Sequence, residues 1–276
     1  MQYETITSRN NPTVLLAASL KDKKNRDRHG LFLVDGEKLF LEAVANSLPI
    51  AYVFISESVA ERQLGLLERA FSDAKGERGR VLVLKDHVFE KITAEKSPQG
   101  IVTAIKYLDI FKKCIIINEG DVSRLGKTAM LSDLQDPGNL GAVIRSCAAF
   151  GVKSLILTRD CADVYNPKVL RAAMGNLFRM NLYSVEDAVG TVSALKQCGR
   201  RVWAAELREG AVSVGQISIL PSDVFVIGNE GHGISASLSE ECTGSVYIPI
   251  AKGVESLNAS VAASVLLWEQ ARQEIQ

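Results

Sequence analysis

"LSDLQDPGNLGAVIRSCAAFGV" (residues 131–152) joins the end of an apolar strand to a turn and an amphipathic helix. Pro137 and Gly138 are typical of the turn, and Asn139 stands where a helix N-cap is favoured. Apolar residues at 140, 143, 144, 147 and 148 follow the spacing of a buried helical face. Arg145 lies off that face. A capping Asn139 and a solvated Arg145 therefore explain the stretch as it stands.

The same alternation of strands and helices runs through the rest of the 276-residue chain. Strands separated by helices of about ten residues predict parallel crossovers, so we expect an α/β protein with a mostly parallel sheet. The length favours two domains. We predict a smaller α/β domain at 1–105, a linker at 106–125 and a larger domain at 126–276. Ligands in such sheets bind where strands end and the chain leaves for a helix.

Composition excludes several classes of protein. Lysine plus arginine and aspartate plus glutamate are each 32, so no net charge draws the chain to nucleic acid, and RNA contacts must come from local clusters. Five cysteines and three histidines show no metal-ligand spacing and no disulfide framework. The stretch "ASVAASVLLW" is too short to span a membrane, and the polar N-terminus is unlike a secretory signal. We expect a cytoplasmic protein with reduced thiols and neither a metal nor a membrane partner.

A second strand end, "VFVIGNEGHGIS" (residues 224–235), runs into a glycine-rich turn. Glycines allow close approach of the backbone to a ligand, but their spacing matches neither a dinucleotide fingerprint nor a phosphate-binding P-loop. A flexible turn with Ser235 as the cap of the next helix is an equally good explanation. Glu230 is the exception, because turn chemistry does not call for a glutamate there.

A third strand end, "VYIPIAKGVESLNASVAASVLLWE" (residues 246–269), leads through a loop into a helix rich in small residues. Either Ser256 or Asn258 could cap this helix. The small residues permit close packing against the sheet or against another helix. Taken singly, this stretch also needs no functional explanation.

Together, "DPGNLGAVIR", "VFVIGNEGHGIS" and "IPIAKGVESLNASVA" resemble the three signature motifs of the SpoU (TrmH) family of SPOUT RNA 2′-O-ribose methyltransferases. The resemblance covers about residues 126–276, including "NPKVLRAAMGNLFRM" between the first two motifs. The N-terminal stretch "TSRNNPTVLLAASLKDKKNRDRHGLFLVDGEKLFLEA" is similar to the ribosomal-protein-like substrate-binding domain that precedes many of these enzymes.

The resemblance implies a trefoil-knotted catalytic domain, a homodimer and S-adenosylmethionine as the methyl donor. Backbone near three residues would hold the adenosine part of the cofactor: Gly228, Ile248 and Leu257. Five residues match the family's polar active-site positions: Asn139, Arg145, Glu230, Ser256 and Asn258. The implied reaction is methylation of a ribose 2′-hydroxyl in structured RNA.

The role of Arg145 in that reaction has two versions. A guanidinium is normally permanently charged, which argues against a simple base. Arg145 would either lose a proton transiently with help from an RNA phosphate, or clamp that phosphate while another group accepts the proton. We favour the clamp, because bidentate contacts with phosphate need no unusual protonation. Asn139 and Glu230 would orient Arg145 and its loop, and Ser256 and Asn258 would touch the ribose or fix the cofactor loops.

Three alternatives stay open at this point. The substrate could be tRNA, although the N-terminal domain favours ribosomal RNA by analogy. The chain could be an RNA-binding protein that keeps the fold without the chemistry. A nucleotide-dependent oxidoreductase is disfavoured by the glycine spacing. The basic run "KDKKNRDRHG" (residues 21–30), with Lys168, Arg171 and Arg179, supplies candidate phosphate contacts, and a solvated loop explains the run equally well.

Overall fold

A computed structural model of the chain describes residues 2–72, 78–108, 111–114, 117 and 119–275. Its strands are β1 Glu4–Ile6, β2 Leu31–Asp35, β3 Ile50–Ser56, β4 Arg80–Leu84, β5 Ile101–Lys106, β6 Phe111–Cys114, β7 Thr128–Leu131, β8 Ser154–Thr158, β9 Asn181–Val185, β10 Val202–Ala205, β11 Val212–Ser213, β12 Val224–Ile227 and β13 Gly244–Tyr247. Its α-helices are α1 Pro12–Ser19, α2 Lys23–His29, α3 Glu37–Ala45, α4 Ala60–Ser72, α5 Asp86–Phe89, α6 Glu119–Val122, α7 Pro137–Ala149, α8 Pro167–Ala173, α9 Ala188–Gln197, α10 Ala236–Glu241 and α11 Ala259–Ile275. Short 3₁₀ helices lie at Glu57–Val59, Asn176–Arg179 and Val214–Gln216.

The chain forms two compact units. The first comprises Met1–Asp109 with Asp163–Phe178, and the second comprises Ile110–Ala162 with Arg179–Gln276. The first unit contains a five-stranded sheet in the order β1-β4-β3-β5-β2, in which β5 runs antiparallel to both of its neighbours. Strands such as β2 and β5 are buried along nearly their whole length, which is why they read as continuous apolar runs.

Residues 163–178 lie inside the range predicted for the larger domain but pack into the first unit. The ring of Tyr165 stacks on Phe32 with centroids 4.5 Å apart and on Tyr107 with centroids 4.4 Å apart. Tyr165 also accepts a hydrogen bond at its hydroxyl from the backbone N–H of Leu108, at 3.0 Å. The segment therefore supplies part of this unit's aromatic core.

The second unit contains an eight-stranded sheet in the order β11-β13-β10-β12-β7-β8-β9-β6. Every described strand pair in it is parallel, which confirms the predicted α/β class with a parallel sheet. Edge strand β6 lies within the segment 106–125 that was predicted to be a linker. Its Lys112 is exposed and its Cys114 is half-buried, so the strand carries little of the apolar pattern that marks the central strands.

The order of this sheet brings the three motif loops to one edge. Strands β7 and β12 are direct neighbours, and β13 lies one strand further on, beyond β10. Because all four strands are parallel, their carboxyl ends lie on the same side of the sheet. The loops that follow β7, β12 and β13 therefore start from a common edge. Within the described part of the chain, no helix is both long enough and apolar enough to cross a membrane.

Candidate active site

Helix α7 begins three residues before the predicted position. Its N-cap is Asp136, whose Oδ1 accepts a hydrogen bond from the backbone N–H of Asn139 at 2.7 Å. Pro137 takes the first helical position, where its missing N–H costs nothing. The prediction that Asn139 caps the helix is therefore wrong. Because the side chain of Asn139 does not cap α7, it is available for contacts elsewhere.

Three polar side chains, one from each of the three motifs, are joined by hydrogen bonds. Asn139 donates through Nδ2 to Oε1 of Glu230 at 2.7 Å. Asn258 donates through its own Nδ2 to Oδ1 of Asn139 at 3.0 Å. The bonded pairs are separated by 91 and 119 residues of sequence. We call Asn139, Glu230 and Asn258 the polar triad, and it brings together three of the five predicted polar site residues.

The glycine-rich loop after β12 is held in a closed turn by Asn229. Its backbone N–H and C=O both bond to Gly233 at 3.0 Å. Its side-chain oxygen accepts from the N–H groups of Gly231 and His232, at 2.8 and 3.1 Å. Its side-chain nitrogen donates to the backbone oxygen of Asp133, in the loop after β7, at 2.8 Å. Sequence reasoning did not select Asn229, although an asparagine before glycines signals this kind of side-chain turn.

Gly228 lies buried under that turn with no room for a side chain. A Cβ atom on Gly228 would lie 2.5 Å from the carbonyl carbon and 2.6 Å from the oxygen of Gly233. Both are backbone atoms, which cannot move aside as a flexible side chain can. The predicted cofactor residue is therefore a position where the loop itself needs glycine.

Replacement of Gly228 by alanine is expected to open the closed turn and to weaken S-adenosylmethionine binding about fivefold or more, since overpacking of this kind typically costs about 1–3 kcal/mol. Isothermal titration calorimetry with S-adenosylmethionine measures the loss. The matched control is Gly231→Ala in the same loop, because a Cβ there meets only the side-chain oxygen of Asn229, at 3.5 Å. Equal affinities for the two variants would contradict a specific need for glycine at 228.

Asn258 also caps helix α11. Its Oδ1 accepts from the backbone N–H groups of Ser260 at 3.0 Å and Val261 at 3.3 Å. Of the two capping residues that the sequence left open, Asn258 is the one that caps. One side chain thus fixes both the start of α11 and, through its nitrogen, the triad.

The other predicted site residues differ in how they are placed. Ile248 and Leu257 are half-buried in the loop that follows β13, and Ser256 is exposed two residues before Asn258 in the same loop. Arg145 is exposed on α7, six residues after Asn139, which is about 240° around the helix and about 9 Å along it. Within the described residues, no hydrogen bond joins Arg145 to a member of the triad.

Helix α7 also carries a buried cysteine, Cys147. Burial raises the pKa of the Cys147 thiol on α7 to about 12, so this thiol stays protonated and does not act as a nucleophile. Among the described residues, no three histidine, cysteine, aspartate or glutamate side chains are grouped so as to hold a metal ion. The polar triad itself offers two amides and one carboxylate.

A parallel α/β unit whose three motifs are tied together at the carboxyl edge of the sheet is typical of proteins that bind a ligand at that edge. Comparison with protein families identifies the particular group. The model of the SpoU rRNA Methylase family matches residues 127–268, and the chain belongs to this family. The MRM3-like substrate binding domain matches residues 11–103.

Individual relatives resemble the chain over nearly its whole length. The 23S rRNA (guanosine(2553)-2′-O)-methyltransferase RlmP of Bacillus subtilis is 29% identical over 95% of this chain and 97% of its own. The 23S rRNA (uridine(2479)-2′-O)-methyltransferase of Streptomyces viridochromogenes is 28% identical over 98% of this chain and 92% of its own. The AdoMet-bound crystal structure of an rRNA methyltransferase from Sinorhizobium meliloti superposes with a TM-score of 0.80 at 25% identity, covering 100% of both chains.

Proposed function

We propose that this protein methylates a ribose 2′-hydroxyl in ribosomal RNA, with S-adenosylmethionine as the methyl donor. The observation that carries the proposal is the polar triad, which ties together all three motifs in a chain of the SpoU family. The relatives from B. subtilis and S. viridochromogenes are both named as 23S rRNA 2′-O-methyltransferases. Their targets are a guanosine and a uridine, so the base at the target position of this enzyme is open.

The residues at the carboxyl edge fit the cofactor. Gly228 is buried, and the backbone of Gly233 lies where a side chain on Gly228 would be. Ile248 and Leu257 offer half-buried apolar surface next to backbone polar groups. An adenosine moiety needs this combination of apolar faces and a few fixed polar partners. When bound, S-adenosylmethionine supplies the activated methyl group. Backbone at these three residues would hold its adenosine part.

The polar residues then position the RNA. Transfer to an oxygen requires near-linear alignment, and good positioning alone can supply up to about 7–11 kcal/mol of the barrier. Asn258, with Ser256 nearby, would orient the ribose, and Glu230 would hold the side chain of Asn139 in place at the start of α7. The hydroxyl proton needs an acceptor within hydrogen-bonding reach. We assign to Arg145 a bidentate clamp on the adjacent phosphate, which fixes that acceptor in place.

We further propose that the enzyme is a homodimer and that Arg145 acts in the site of the other copy. Arg145 lies on a different face of α7 from Asn139, because six residues separate them by about 240° around the helix axis. Helix α11 packs on α7 and exposes Val261 and Trp268 at 47% and 49%, and the Trp268 ring lies 5.8 Å from that of Phe150 just after α7. An apolar surface on paired helices is suited to a second copy of the same surface.

Other implications of the resemblance stay proposals. A trefoil knot in the catalytic unit is consistent with the non-sequential strand order, in which β12 pairs with β7 about a hundred residues earlier. Location in the cytoplasm stays a prediction from the sequence. A tRNA substrate is the alternative within the same chemistry, and a non-catalytic RNA-binding protein is the alternative outside it.

The reaction can be tested directly. Purified protein incubated with methyl-labelled S-adenosylmethionine and total cellular RNA should label one ribosomal RNA position, which then resists alkaline cleavage because its 2′-hydroxyl is blocked. Label in tRNA alone would correct the substrate. Cofactor binding without transfer to any RNA would favour the non-catalytic alternative.

We propose that the first unit binds the RNA. The structure reduces the number of its basic residues that are free to contact phosphate. Lys21 donates to the backbone oxygens of Lys91 and Thr93 at 3.0 Å, and Lys23 pairs with Asp27 at 2.9 Å. Arg26 is 3% exposed and is used inside the fold. These cations already have structural partners, so only part of the run is suited to phosphate.

Lys24 and Arg28 are the better candidates. They are exposed and four residues apart on α2, so they share one face. Within the described residues neither makes a hydrogen bond or an ion pair.

Changing Lys24 and Arg28 together to glutamine should weaken RNA binding and reduce the slope of log K against log salt by about 0.7–0.9 for each phosphate that the variant no longer neutralises. Filter binding over a salt series measures both quantities. Lys23→Gln, on the same helix, is the control. Lys23 is already paired with Asp27, so this variant should change RNA binding and the salt slope less. An unchanged slope in the double variant would remove this face from the RNA interface. Deletion of residues 1–105 is a poorer test, since it would strip residues 163–178 of the core they pack into.

A further inference from the structure

Glu206 occupies a central place at the edge that carries the motif loops. It is the first residue after β10, and β10 lies between β12 and β13 in the sheet. Its backbone N–H donates to the backbone oxygen of Val246 in β13 at 3.0 Å, which extends the strand pairing by one residue. Its side chain therefore starts between the strand that leads to the glycine-rich loop and the strand that leads to the third motif loop.

The carboxylate of Glu206 accepts two hydrogen bonds from serines that are almost fully buried. Ser245 donates to Oε1 at 2.7 Å, and Ser239 donates to the same oxygen. The two serines are 7% and 4% exposed. Ser239 belongs to α10, which directly follows the glycine-rich loop, and Ser245 belongs to β13. One oxygen atom thus connects α10, which follows the glycine-rich loop, to β13, which precedes the third motif loop.

Arg208 completes this network from the solvent side. Its Nη1 donates to Oγ of Ser239 at 2.5 Å and lies 3.6 Å from Oε1 of Glu206. The hydroxyl of Ser239 therefore donates to the carboxylate and accepts from the guanidinium. Buried hydroxyls need partners, and bonds to an ionised acceptor are stronger than bonds between neutral groups. None of these four residues belongs to the three motifs.

We propose that Glu206 is a positioning residue for the cofactor site, which holds α10 against β13 and thereby sets the distance between the glycine-rich loop and the loop after β13. The inference rests on the proposed function, since it assumes that those two loops bind S-adenosylmethionine. Glu206 acts through Ser239 and Ser245 and does not touch the reacting atoms. Glu206 therefore affects the affinity for the cofactor and not the rate of the chemical step.

The test compares Glu206→Gln, the double variant Ser239→Ala/Ser245→Ala and the triple variant in the full-length protein. Calorimetric titration with S-adenosylmethionine gives Kd, and RNA methylation at varied cofactor gives KM and kcat. Glu206→Gln is expected to raise Kd and KM about tenfold, since the serines then bond to a neutral acceptor instead of a charged one, while kcat at saturating cofactor stays within about twofold. The serine double variant should show the same pattern, and the triple variant should be little worse than the double variant because the two serine hydroxyls are already absent.

Glu241→Gln is the matched control. Glu241 ends the same helix α10 but pairs with Lys196 of α9, at 3.1 Å, away from the cofactor loops. Its replacement should leave the cofactor Kd unchanged, whatever it does to the melting temperature. A Glu206→Gln protein that binds the cofactor as tightly as the wild type overturns the inference, even if it is less stable. A further tenfold loss of affinity in the triple variant also overturns it, because the carboxylate would then act by a direct contact. Wild-type protein that binds no cofactor would instead overturn the proposed function.

Discussion

Replacement of Arg145 by lysine is expected to lower the rate of RNA methylation about a hundredfold and to leave the affinity for S-adenosylmethionine unchanged. Lysine keeps the positive charge but loses the planar fork that binds two phosphate oxygens at once. Removal of one well-placed charge-stabilising donor costs roughly 10²–10³ in rate in other enzymes. Single-turnover methylation at saturating cofactor measures the rate, and calorimetry measures the affinity. Turnover at the wild-type rate would remove Arg145 from any special role.

The position of Arg145 can be tested by mixing inactive subunits. The proposed dimer places Arg145 of one copy beside the Asn139 of the other. Co-expression of Arg145→Lys and Asn139→Ala chains should then restore about a quarter of wild-type activity, because half of randomly paired dimers are mixed and each mixed dimer has one intact site. Mixtures that stay inactive would place both residues in the site of a single chain, which their separation around α7 opposes.

Replacement of Arg26 by methionine is expected to lower the free energy of unfolding of the first unit by about 3–5 kcal/mol, the usual cost of stranding one member of a buried ion pair. Arg26 is 3% exposed and lies 2.5 Å from Oδ2 of Asp163. It also donates to the backbone oxygens of Leu20 and Lys21, at 2.9 and 2.7 Å. Methionine fills similar volume but leaves these acceptors without their donor.

Urea denaturation followed by tyrosine fluorescence and by circular dichroism would measure this loss of stability. Lys24→Met is the matched control, since Lys24 lies two residues earlier on the same helix and is exposed. We expect a change of less than about 0.5 kcal/mol for Lys24, as for most surface substitutions. A loss below about 1 kcal/mol for Arg26 would mean that the ion pair with Asp163 does not hold residues 163–178 in this unit.

Many strands and helix ends of the catalytic unit could be predicted from short sequence patterns. Apolar runs such as "VFVI" at 224–227 form buried parallel strands, because both of their faces are covered. Ser235 caps α10 through a bond from the N–H of Leu238 at 3.4 Å, as the position of a serine before a helix indicates. These features depend on neighbouring residues, so a pattern in the chain is sufficient to reveal them.

Features that depend on distant partners could not be read in this way. The apolar face of α8 shows that the helix packs, but not that it packs into a unit built mainly from residues more than fifty positions earlier. Arg26 looks like its basic neighbours until its buried partner Asp163 is known. The structural role of the Glu206 carboxylate depends on hydrogen bonds from two serines more than thirty residues away. Asn139 was noticed, but as a cap, because its bonds to Glu230 and Asn258 span most of the catalytic unit.

The central claim is that the loops after β7, β12 and β13 enclose the methyl donor beside the polar triad. A crystal structure of the protein with S-adenosylhomocysteine, the demethylated cofactor, tests it most directly. We expect the adenosine part against backbone at Gly228, Ile248 and Leu257, with the sulfur directed toward Asn139 at the start of α7. Ligand density at another edge of the sheet, or none among these loops at saturating ligand, would contradict the claim.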